Sequence, residues 1–180
     1  MNPTTDYNTQ KLEKGMQKYI YLRRHLYETN VSLDLEFQKT FNGFFRMRQR
    51  SADFYRDFYS WLEQHKETGV DFKETLTYFY EKHHRLEISF SSKLVALINP
   101  NKPIWDSVVT TGHFGIKAPY SYCKNRLEAA INKYEMYCKL YDEYMKTQSA
   151  ELMIREFDRL YPNNNISDVK KVDFMLWISR

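Results

Sequence analysis

The sequence predicts an all-α protein, a single multi-helix domain, and three observations predict it. Apolar residues recur at three- and four-residue spacing through most of the chain. The 180 residues hold only 5 Gly and 5 Pro, too few for the many tight turns of a β-fold. Capping residues precede the periodic runs, and Gly or Asn-Pro follow several of them. The length suits one helical domain over 9–180, behind a disordered N-terminal stretch at 1–8.

The elements follow in order. A helix from about residue 9 to 28 carries Leu12, Met16, Tyr19, Ile20, Arg23 and Tyr27. Ser32 or Asp34 caps the next, which carries Leu33, Leu35, Phe37 and Phe41 and either stops near Asn42-Gly43 or resumes at once through Phe44, Phe45 and Met47. Residues 51–64 form a strong helix with a wide stripe of Phe54, Tyr55, Phe58, Tyr59, Trp61 and Leu62. Asp71 caps a helix over 72–84. Ser89 to Ser92 open a shorter one, through Leu94 to Ile98, which Asn99-Pro100 stops. Asp106 or Ser107 starts a helix that ends around Gly112 to Gly115. A long helix is expected over 121–147 after Pro119, another over 150–160, and a last one after Ser167 that docks Trp177. Eight or nine helices result.

Composition bounds the function classes. The 15 Tyr, 12 Phe and 3 Trp suit an aromatic core with tyrosines at its margin, and could also serve a stacking surface for nucleic acid. A net charge of +4 is compatible with a phosphate-bearing partner, DNA among them, without specifying one; a protein partner stays open. No apolar run approaches the roughly 20 residues a bilayer needs, and the N-terminus carries no signal-peptide core, so a soluble cytoplasmic protein without membrane contact is expected. On one helix Cys123 and Cys138 would lie about 22 Å apart, too far to pair, and they read as reduced thiols. His83, His84 and His113 have no zinc-ligand spacing, and there is no Gly-rich nucleotide loop; neither metal nor cofactor is expected.

Two places carry candidate chemistry. From Lys39 to Arg50 the chain holds Lys39, Arg46, Arg48 and Arg50 among Phe41, Phe44 and Phe45, with no acidic residue. On a helix Arg46 and Arg50 share a face, and such a strip suits a nucleic-acid backbone or a solvated face paired with acidic helices. Further on stand Ser89-Phe90-Ser91-Ser92-Lys93 leading to Leu94–Ile98, then Pro103-Ile104-Trp105-Asp106-Ser107-Val108-Val109, then Gly115-Ile116. Asp106 reads as a helix N-cap, Lys93 as a solvated charge or a phosphate ligand, and Trp105 as a core anchor.

That second segment resembles, in degenerate form, the central segment of the helix-hairpin-helix DNA glycosylases, whose Gly-rich hairpin, helix, loop and aspartate-led helix it matches over about 28 residues. The resemblance implies a glycosylase-like core and hydrolysis of an N-glycosidic bond on an extruded base. It implies Asp106 and Lys93 as catalytic residues, with Lys93 as Schiff-base nucleophile in a bifunctional enzyme, a phosphate grip at Ser89, Ser91 and Ser92, and Trp105 lining the cleft. Ser89 and Ser91 replace the hairpin glycines, which allow close approach to phosphate, and Lys93 and Asp106 stand closer together than in those enzymes. Over most of its length, in Phe41-Asn42-Gly43-Phe44-Phe45-Arg46-Met47-Arg48, Ser89 to Lys93, Ile98 to Asn101, Pro103 to Asp106 and Ser167 to Trp177, the chain also resembles an uncharacterised family of small bacterial and phage-borne helical proteins.

Overall fold

The computed structural model describes residues 3–178, with side chains described from residue 10. It is all-α: nine helices and no strand among the described residues. Its contacts fall into two compact units, Met1–Val70 and Asp71–Arg180, where the sequence reads as one domain. No helix among the described residues is long and apolar enough to cross a membrane.

The first unit holds α1 (Pro3–Glu28), α2 (Leu35–Phe44) and α3 (Ala52–His65). α1 starts at Pro3, ahead of the start expected near residue 9; Met1 and Asn2 of the expected disordered stretch lie outside the described residues. Asp34, not Ser32, caps α2, accepting from the amides of Glu36 and Phe37, while Ser32 folds back on Asn30. Leu33 precedes the helix, and Leu33 and Leu35 are 74% and 78% exposed, while Phe37 and Phe41 are buried. Phe41 is the centre of this core, with ring centroids 4.6 Å from Phe45, 5.3 Å from Phe58 and 5.8 Å from Tyr59.

The second unit holds α4 (Phe72–His83), α5 (Ile88–Ile98), α6 (Ser107–Gly112), α7 (Arg126–Tyr144), α8 (Gln148–Leu160) and α9 (Asp168–Ile178). α4 packs on α5 and α7, and α9 packs on α6 and α8. α5 is apolar enough to be buried on every side, with all but Ser89 of its residues inside. α7 starts at Arg126 rather than 121, because Asn125 caps it: its Oδ1 accepts from the Glu128 amide and its Nδ2 donates to the Glu128 carboxylate. Cys123 therefore lies in the turn before α7 and Cys138 on it, so the one-helix distance argument does not apply, and both are free thiols.

Candidate functional site

The two stretches expected to form one unit are joined by the Ser92 hydroxyl. Ser92 Oγ donates to Ser89 O at 2.9 Å and accepts from the Trp105 amide at 2.9 Å. The loop from α5 to α6 is then fixed by groups the sequence reading passed over. Tyr134 and Tyr137, one turn apart on α7, donate to the carbonyls of Pro103 (2.9 Å) and Ile104 (3.2 Å). Tyr141, one turn on, donates to Val169 O (3.2 Å), and Ser167 Oγ reaches Pro100 O (2.7 Å). Desolvation pushes the pKa of all three phenols well above their usual 10.0, so they stay neutral donors. Their spacing of three and four residues on an expected helix was the signal that marks one buried face.

Each expected catalytic residue has a structural place. Asp106 is the N-cap of α6: Oδ1 accepts from the Val108 amide at 2.9 Å, and its carbonyl accepts from the Thr110 amide and hydroxyl. Its side chain is partly buried. Lys93, expected as a solvated charge, a phosphate ligand or a nucleophile, is 8% exposed, with Nζ 5.3 Å from the centroid of the Phe90 ring. Trp105 is 4% exposed and stands edge-on to Tyr137, a core anchor rather than an open wall.

The serines of the expected phosphate grip fall within a helix. Ser89, Ser91 and Ser92 lie inside α5, and the Ser91 amide is spent on Glu87 O. Ser91 and Ser92 are fully buried, so neither hydroxyl has a face for a phosphate in this conformation. The amides ahead of them belong to a helix end whose N-cap is the buried Glu87, a carboxylate 3.2 Å from Arg85 Nε and unfavourable to an incoming anion.

The basic strip lies in the first unit, and its geometry differs from the helical face expected of it. α2 ends at Phe44, and the chain then turns, with Arg46 at φ 53° and Gln49 at φ 59°. Arg46 and Arg50 therefore do not share a helix face. Instead the residues alternate: Phe45 and Met47 are buried, Arg46 and Arg48 exposed. The turn is tied by the Met47 amide to Asn42 O (2.9 Å) and by Tyr55 OH to Met47 O (3.2 Å). Arg50 folds over the loop, donating to the carbonyls of Arg48 and Gln49 and lying 6.0 Å from the Phe54 ring centroid.

No family model, curated protein or solved structure matches this chain. Among the described residues no group of three or more His, Cys, Asp or Glu side chains is placed to share a metal ion. Cys138 is mostly buried, and desolvation raises its thiol pKa above the usual 9.0, which disfavours the nucleophilic thiolate.

Proposed function

We propose that the protein is a non-catalytic nucleic-acid-binding module that grips the phosphate backbone of duplex DNA with the 45–50 loop. One observation carries the reading: a turn whose alternate residues are buried anchors and exposed arginines, in a stretch without a carboxylate between Glu36 and Asp53. The backbone is already ordered, so binding need only immobilise the arginine side chains. Positive φ at two non-glycine positions in this short turn is local strain of the kind that clusters at ligand contacts.

Binding of a labelled duplex across a salt series tests it. Each phosphate neutralised contributes about −0.9 to the slope of log affinity against log salt. Arg46→Ala with Arg48→Ala is expected to weaken binding and flatten that slope by up to about two such increments. A slope equal to that of the wild type, or no wild-type binding at low salt, overturns it.

A second reading, kinship with base-excision glycosylases, is favoured by the Ser92–Trp105 hydrogen bond that joins the two resembling stretches. On that reading wild type releases a damaged base from duplex DNA and Asp106→Asn binds without releasing it. On the first reading neither protein releases a base.

A further inference from the structure

The connection from α6 to α7 carries a surface of different character. It is anchored by the buried Ile116 and Pro119: the Ile116 amide donates to Thr110 O at 2.7 Å, and Lys133 Nζ donates to Lys117 O at 2.7 Å. Beyond Pro119 the Cys123 amide donates to Tyr120 O (3.1 Å), closing a tight turn that puts Tyr120 and Tyr122 side by side. Their rings are parallel to within 4°, with centroids 5.2 Å apart, an offset stack. Both are solvent-facing, 58% and 82% exposed, so a large aromatic surface is held open by a hydrogen-bonded turn instead of collapsing into the core.

The surrounding charge selects the occupant. From Ser107 to Leu127 the chain has no carboxylate, while Lys117, Lys124 and Arg126 fall within ten residues. Lys117 and Lys124 are exposed, and the buried Nε of Arg126 has no hydrogen-bond partner among the described residues. A flat π-surface whose nearest charged neighbours in sequence are cations matches a ligand with flat faces and regular negative charge.

We propose that this turn is a platform for unpaired bases of a single-stranded nucleic acid, with Tyr122 offering its outer face to a base, Tyr120 backing it, and Lys117, Lys124 and Arg126 following the phosphates. A duplex keeps its bases stacked on one another, so this surface is distinct from the arginine loop of the first unit and does not depend on it.

Fluorescence anisotropy with a labelled oligo-dT tests the platform. Stacking on aromatic side chains predicts that Tyr120→Leu with Tyr122→Leu weakens oligo-dT binding roughly five- to a hundredfold. Tyr120→Phe with Tyr122→Phe keeps the rings and is expected to hold affinity within about twofold. Lys117→Gln with Lys124→Gln lowers both affinity and salt dependence, and the leucine variant leaves duplex binding as it was. The platform is overturned if wild type does not bind oligo-dT at low salt, if the leucine variant binds like wild type, or if the phenylalanine variant fails as the leucine variant does. Loss of duplex binding alone, with oligo-dT binding intact, counts against the arginine loop and leaves the platform standing.

Discussion

Ser92 Oγ uses both its donor and an acceptor lone pair, whereas Ser91 Oγ, one residue earlier and equally buried, has no hydrogen-bond partner among the described residues. Opposite mutational outcomes follow. Ser92→Ala strands the buried Trp105 amide, at a cost of about 1–3 kcal/mol. Ser91→Ala removes an unsatisfied hydroxyl and is expected to be neutral or stabilising. Urea denaturation of the two variants checks this; equal destabilisation would contradict it. Asp106 gives a second contrast. Asp106→Ala loses a cap worth about 0.5–2 kcal/mol, while Asp106→Asn keeps an acceptor for the Val108 amide and is expected to cost less. The cap was legible from an aspartate ahead of Val108 and Val109. The burial of Ser91, Ser92 and Lys93 was less so, because small polar residues and a lysine at a helix start read as its solvent side. Only the run Leu94–Ile98 hinted that the whole of α5 is inside.

α9 starts where the sequence places it and buries charge as well as apolar residues. Ser167 does start it, its Oγ accepting from the Lys170 amide, and Trp177 is partly buried as the apolar terminus suggested. Lys170, Lys171 and Asp173 are buried along with the apolar residues, 6%, 8% and 8% exposed. Lys170 Nζ lies 2.6 Å from Asp173 Oδ2, and Lys171 bridges Asp158 and Asp168. Burial pulls the Lys171 pKa down, but the hydrogen bonds and charge of its two carboxylates outweigh that and hold it above the usual 10.5. Asp173→Ala removes a carboxylate from a buried ammonium and is expected to destabilise more than Lys170→Met together with Asp173→Leu, which removes both charges. A double-mutant cycle by thermal denaturation measures the difference. The start of α7 was legible in principle from the Asn125-x-x-Glu128 capping pattern. An apparent helical run from 121 obscured it and hid the exposed turn of Tyr120 and Tyr122.

For the molecule as a whole, the scarcity of glycine and proline and the 3.6-residue period were sufficient for the all-α class. The contacts divide at Gly69-Val70-Asp71, which has the composition of any interhelical connection. Both units bury tyrosines, and this gives a common alkaline limit. Tyr59 in the first unit and Tyr134, Tyr137 and Tyr141 in the second have pKa values raised above 10.0, chiefly by desolvation. Their neutral forms support the fold fully below pH 10. Above it the unfolded chain gives up phenolic protons that the native state retains, so stability falls as pH rises. The last part of the phenolate absorbance should therefore rise only together with loss of helical circular dichroism. Complete ionisation of a still-helical protein would contradict the burial of these rings.

The segment between α5 and α6 is fastened at Pro100, Pro103, Ile104 and Trp105, each to a side chain from elsewhere in the second unit. Its exposed stretch is Asn101-Lys102. A protease that nicks the chain there would leave both new ends moored on either side of the cut. The clipped protein should keep its helical signal and run as one species under native conditions, separating into two fragments only in denaturant.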